Sequence, residues 1–234
     1  DQMFPKDAGL YDDDWTNRKN PLNRFISYHL LPYYGAYNDW TVSGDIKNTC
    51  AKTDLIDCTD WYTTMLQGTI MKMSTPSDGL FINRKGVGAR YTVRGTKVLS
   101  PSEIGDVDQQ ALNGIYHYID QVLDYNQETR DVVFNDRIRV MAATLSPEFM
   151  NCGARGNTER ATGFKVVEGW DFHGKTPTMT LRKRDVWMVT YADCIDMVGQ
   201  FDVTFKLLPV PKEGTYEVRF GYGWGDMRGK VQVY

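Results

Sequence analysis

Asn113-Gly114-Ile115-Tyr116-His117-Tyr118-Ile119-Asp120-Gln121-Val122-Leu123 decides how this chain is read. An Asn-Gly turn pair opens the stretch. The run that follows, Gly114 to Val122, has the bulky apolar residues expected of a strand that closes a sheet. Ile115, His117 and Ile119 alternate along it, which predicts a buried, hydrogen-bonded structural histidine rather than a catalytic one. Asp120, at the strand end, is expected to accept backbone hydrogen bonds.

The residues before this stretch mix helix and strand signals. Asn20 to Leu31 reads as a short helix with Asn20 as N-cap and Pro21 in the first turn. Leu22, Phe25, Ile26, His29 and Leu30 fall on one face at helical spacing, so His29 too is expected to be structural, and Pro32 stops the helix. Thr63 to Met73 is a strand-pair candidate, and Gly79 to Arg84 is another short strand. Val93 to Val98 continues the sheet with a bend at Arg94-Gly95. From about Glu128 short alternating strands dominate: Arg137–Met141, Phe164–Val167, Asp185–Tyr191, Phe201–Leu207, Thr215–Tyr222 and Lys230–Tyr234. Strands of this length with Gly/Pro punctuation predict an all-β sandwich or jelly roll.

Composition excludes several classes. Across 234 residues, 41% hydrophobic and 24% charged describe a chain able to bury a core. A formal charge of −3 gives no basis for a nucleic-acid partner. The basic runs Leu181–Asp185 and Arg137–Arg139 are short and flanked by acids, as on solvated strands. No apolar run reaches roughly 18 residues, so no membrane-spanning helix is expected. Cys50, Cys58, Cys152 and Cys194 contain no C-x-x-C pair and the three histidines lack metal spacing, so neither a metal nor another cofactor is expected. Cys50 and Cys58 bracket a polar loop; a bridge between them on export and free thiols are both open. The start at Asp1, without an initiator Met, fits a processed or trimmed chain, and Tyr234 ends it in mid-strand.

In order, Tyr28-His29-Leu30-Leu31-Pro32, Met65-Leu66-Gln67-Gly68, Ile82-Asn83 and Asn113 through Leu123 resemble the motifs of fasciclin-type domains. These carry a helix ending in Tyr-His, a Thr-Leu-x-Gly strand start, an Asn-bearing strand and a closing Asn-Gly-x-x-His-x-Ile-Asp-x-x-Leu. The resemblance covers roughly residues 22 to 124. The Phe-Thr-x-Phe-x-Pro opening of the family has no copy here, and the Cys50–Asp60 insertion is longer than usual. Pro211 through Phe220 and Arg228 through Tyr234 resemble the β-sandwich that follows fasciclin-like units in surface proteins of Bacteroidetes, itself similar to galactose-binding-like jelly rolls. The resemblance implies an α+β fasciclin-like domain, 1–127, incomplete at its N-terminus, and an all-β, jelly-roll-like sandwich, 128–234. It also implies an exported cell-surface or outer-membrane protein with a lipid-anchor cysteine upstream, and a receptor-contact role for Tyr28 and His29.

No G-x-S-x-G, P-loop or H-E-x-x-H motif occurs. Asp193 with Asp196, and Glu168 with Asp171, are carboxylate pairs on which a glycan-active enzyme could be built, but no motif selects a pair. For sugar binding the candidates are Trp170 and Asp171 in Gly169–Gly174, and Tyr222, Trp224, Asp226 and Arg228 in Gly221–Arg228. An indole face stacks on a pyranose while Asp and Arg bond its hydroxyls; the alternative is that these indoles simply cover core. The expected function is non-enzymatic adhesion or binding, with a glycan or a surface or matrix protein as ligand. A structural accessory subunit of a surface complex is the second reading, and a glycan-active enzyme the third.

Overall fold

Asn20 starts the first helix in the expected way. With extended backbone (φ −60°, ψ 131°), its side chain accepts the N–H groups of Leu22 (2.9 Å) and Asn23 (3.1 Å). Helix α1 runs Pro21–Tyr28 and α2 Tyr37–Trp40. The computed structural model describes residues 13–40, 59–76, 78–87, 90–105, 109–152, 160–162, 167–175, 177–183, 193–221 and 229–234. The buried side of α1 differs from the expected stripe. Leu22, Ile26 and Leu30 are exposed, whereas Tyr28 is fully buried and Phe25 packs on the core. A phenol can take that central place because its hydroxyl is hydrogen-bonded inside the core.

Four strands build the main antiparallel sheet in the order β1-β2-β3-β6: β1 Thr59–Thr63, β2 Ile70–Ser74, β3 Leu80–Ile82 and β6 Thr96–Val98. Between the last two, β4 Lys85–Val87 and β5 Arg90–Val93 form a bulged hairpin. The expected strand pair is present, although its first strand lies at 59–63, ahead of a turn. Every residue of β2 is buried, so this sheet is covered on both faces. Tyr62 meets Tyr33 and Trp40 (centroids 5.6 and 4.9 Å), and Trp61, its neighbour on the opposite side, meets Phe134 at 5.2 Å.

The expected bend at Arg94-Gly95 separates β5 from β6. Gly95 has φ 73°, and a methyl carbon there would sit 2.4 Å from the Ile82 carbonyl oxygen and 2.8 Å from the Arg84 nitrogen. Gly105, which ends helix α3 (Pro101–Ile104), also has φ 73° but faces open space. Gly95→Ala is therefore expected to cost about 2 kcal/mol and Gly105→Ala about 1 kcal/mol, the difference being backbone collision rather than φ. Urea unfolding of the two variants measures it; equal losses would mean that the strand opens without cost.

The Asn113–Leu123 stretch is not one continuous strand. Gln109–Ala111 (β7) and Gly114–Tyr116 (β8) form a hairpin whose two-residue loop is Leu112–Asn113, with Gly114 paired to Ala111. The hairpin ladder ends at Tyr116, and the chain then runs along the free side of β6. Leu99 N–H donates to Tyr118 O (2.8 Å), Ile119 bridges Val98, and Asp120 N–H donates to Lys97 O (3.0 Å). The edge of β6 captures this second half, because pairing there satisfies backbone groups that the hairpin leaves open.

The C-terminal half holds a π-helical turn at Thr129–Val133, a 3-10 turn at Ala142–Leu145 and helix α4, Pro147–Asn151. Its strands are β9 Arg160–Thr162, β10 Trp170–Asp171, β11 Thr178–Lys183, β12 Asp193–Val198 and β13 Thr204–Phe205. They form the sheet β12-β11-β9 and the pair β10-β13. Several expected strands differ. Ile138 and Val140 are less exposed than Arg137 and Arg139, but this segment has no ladder among the described residues. Only Thr204–Phe205 of Phe201–Leu207 is paired. Residues 215–221 and 230–234 are exposed and without a ladder among the described residues. Phe164–Val166 and Asp185–Tyr191 lie outside the described residues.

The fold is thus β-rich, made of small antiparallel sheets with few, short helices. Its apolar core runs through position 127/128. Val133, Phe134, Phe149 and Met150 join the same cluster as Tyr28, Trp61 and Ile70. Tyr33 Oη also donates to Thr144 O at 3.3 Å.

Candidate functional site

Tyr28 and His29 are occupied by the fold. The Tyr28 hydroxyl accepts from Asn83 Nδ2 (2.8 Å) and lies 3.4 Å from Ile70 O, to which it donates. Its exposure is 0%, so no ligand reaches it. Burial pushes its phenol pKa well above the usual range, against the smaller lowering by Asn83. His29 Nε2 lies 3.1 Å from Leu123 N, whose N–H can only donate, so Nε2 accepts. That leaves the proton on Nδ1, which donates to Phe25 O at 2.8 Å. The Tyr-His end of α1 is thereby tied to Asn83 and to the end of the Asn113–Leu123 stretch.

Asp120 and His117 of that stretch are also engaged. Asp120 Oδ1 accepts Lys97 N–H (2.8 Å), as expected, and Oδ2 pairs with Arg94 Nη2 (2.6 Å). His117 Nε2 donates to Gly35 O at 3.1 Å. Both groups hold backbone in place.

Trp170 and Asp171 are adjacent on β10 and point to opposite sides. The indole stacks on Phe205 (4.7 Å, 20°) and meets Phe149 edge-on (5.5 Å, 90°), so most of its surface is taken by core. Asp171 is exposed; its Oδ1 accepts His173 N–H at 3.0 Å, closing a tight turn. The two therefore do not form a stacking face with an adjacent carboxylate. Glu168 is also exposed, and its N–H donates to Glu148 Oε2 (3.2 Å). Asp193 and Asp196 fall opposite Lys183 and Thr180 in the β11–β12 ladder. Tyr222, Trp224, Asp226 and Arg228 lie outside the described residues.

An aromatic ledge absent from the sequence-derived candidates is open to solvent. Tyr116 and Tyr118 are 46% and 48% exposed, with ring centroids 5.8 Å apart at 76°. They rim a shallow depression lined also by Tyr37, Leu99, Pro101, Ile104 and His117, with about 10 Å³ of enclosed space, room for one water molecule. Burial raises the Tyr37 phenol pKa, partly offset by a hydrogen bond with the Leu80 backbone. Sites for drug-sized ligands span roughly 300–1,000 Å³, so this one offers ring faces and hydroxyls at the surface and no enclosing cavity. The signal was present in the alternation, since positions 116 and 118 fall on the side opposite Ile115 and Ile119.

Among the described residues no cluster of His, Cys, Asp and Glu is arranged to hold a metal ion. No helix among them is long and apolar enough to cross a membrane. Comparison with protein-family models, with curated proteins and with solved structures finds no match to this chain.

Proposed function

We propose that this chain is a non-enzymatic binding module of the cell surface whose Tyr116–Tyr118 ledge contacts a glycan or an extracellular partner protein. In this reading residues 1–127 are a fasciclin-like unit and 128–234 a sandwich-type unit, exported and held at the outer membrane by an upstream lipid anchor. The observation that carries the binding assignment is the exposed tyrosine pair, whose rings lie 5.8 Å apart at the surface. Tyrosines combine a stacking face with a hydroxyl at little entropic cost. Support for the family reading comes from the mutual bonding of the motif residues: Tyr28 with Asn83, and His29 with Leu123.

A glycan array probed with the intact protein, beside a Tyr116→Ala/Tyr118→Ala variant, tests the proposal. Loss of two stacking contacts is expected to weaken glycan binding about tenfold or more, with unfolding unchanged. Binding that survives the double substitution moves the site elsewhere, with the Gly221–Arg228 stretch next to be tested. Absence of binding to any glycan moves the assignment to the accessory-subunit role, which the exposed apolar residues of 215–221 favour. Reducing-sugar release that Asp171→Asn abolishes would overturn both.

A further inference from the structure

We propose that residues 215–221 are a self-association strand, through which two copies of this chain pair antiparallel about a two-fold axis at Val218. The segment reads Thr215-Tyr216-Glu217-Val218-Arg219-Phe220-Gly221, with apolar and charged residues in alternation. Tyr216, Val218 and Phe220 are 44%, 55% and 50% exposed, and no described residue forms a ladder with the segment. Arg219 Nε and Nη2 donate to Glu217 Oε1 and Oε2, both at 2.9 Å. Side chains two residues apart meet in this way when they project to one side, as along an extended strand. The three apolar side chains then share the other side, where Phe220 meets Phe205 edge-on (6.3 Å) and the Tyr216 hydroxyl donates to Lys212 O (2.7 Å), yet about half of each side chain stays exposed.

Charge complementarity selects the occupant. With Val218 opposite Val218 of a second copy, Glu217 of each copy falls opposite Arg219 of the other, and Tyr216 opposite Phe220. One face gains two cross-strand ion pairs, and the other gains two aromatic pairs around a Val–Val contact. Residue i meets j wherever j meets i, as a two-fold interface requires. Sliding the register by two residues places Glu217 against Glu217, or Arg219 against Arg219, so like charges reject the neighbouring alignments. Pro209 and Pro211 lie just upstream, where a missing N–H ends a ladder. A strand pair this short gives a weak dimer, consistent with an interaction that strengthens when many copies share one surface.

Sedimentation velocity of the full chain over a concentration series reads the prediction. The wild type is expected to show a monomer–dimer equilibrium. Glu217→Arg or Arg219→Glu alone sets like charges opposite each other twice, and is expected to weaken association at least tenfold. An equimolar mixture of the two single variants, and the double variant Glu217→Arg/Arg219→Glu, are both expected to restore it. All these substitutions lie on exposed side chains, so circular dichroism is expected to be unchanged. A wild type that stays monomeric overturns the proposal, and so does association indifferent to the single reversals. Exchange-protected amides at 215–221 in a monomer would show that the strand pairs within its own chain, which also overturns it. Glycan binding by the Tyr116–Tyr118 ledge is read separately and does not depend on the outcome.

Discussion

Asn83→Ala is expected to lower the free energy of unfolding by about 3–4 kcal/mol, a large loss for a single polar side chain. Asn83 is buried and has φ 55°, a left-handed conformation that Asn tolerates better than most residues. Its N–H donates to Lys72 O (2.8 Å), its Oδ1 accepts Lys72 N–H (3.2 Å) and its Nδ2 donates to the Tyr28 hydroxyl (2.8 Å). Truncation leaves buried groups unsatisfied and forces a methyl side chain into the left-handed region. Asn83→Gly keeps the first loss and relieves the second, so it is expected to be about 1 kcal/mol milder. Chemical denaturation of both variants separates the two contributions. A loss below about 1 kcal/mol for Asn83→Ala would show that water replaces the network at little cost.

Asp136→Asn is expected to cost about 3 kcal/mol. The Lys72 ammonium, with its side chain only 3% exposed, bonds Asp136 Oδ2 at 2.8 Å, while Asp136 itself is 40% exposed. Lys85 Nζ adds a second cation 3.7 Å away. Removing the carboxylate strands a buried ammonium, which is costly; the water-accessible side of Asp136 keeps the loss at the lower end of the range for buried pairs. Lys72→Met combined with Asp136→Asn is expected to recover most of that loss, because an apolar chain of similar length needs no counter-charge. Burial of Asp136 alone would raise its pKa, but Lys72, the Arg137 N–H and Lys85 together hold it below the usual carboxylate value. Its folded pKa is depressed, so the associated stability is present above about pH 4 and is lost as pH falls through the folded value. The urea midpoint followed from about pH 7 to about pH 3 is expected to fall less steeply in Asp136→Asn than in the wild type. An unchanged acid limb would show that Asp136 plays no part in acid unfolding.

Much of the local structure is legible because it is written in neighbouring residues. Asn20-Pro21 specifies the helix start by its own side chain and ring, and Gly95 specifies a break wherever the backbone must turn left-handed in a tight space. The hydrogen-bonded roles of His29 and His117 follow from periodicity and that of Asp120 from its place at the strand end, although both imidazoles are half-buried rather than buried as expected. The tyrosine ledge is legible in principle from the same alternation. Sequence reasoning misses it because exposure of Tyr116 and Tyr118 depends on what covers the outer side of the stretch, and that is not a local property.

Helix start, bend and strand periodicity were determined by the sequence itself, through dihedral preference and side-chain spacing. Only the tertiary structure decided that α1 buries Tyr28 rather than Leu22, Ile26 and Leu30. The reason is that a hydroxyl from one element found its partner, Asn83, on another. It alone decided that the Asn113–Leu123 run breaks at His117 to serve two edges, and that Lys72 finds its counter-charge 64 residues away at Asp136. It also left 215–221 without a partner among the described residues, despite a strand pattern as clear as any in the chain. Alternation shows that a segment suits pairing; which edge accepts it is set by register, closure and charge at long range.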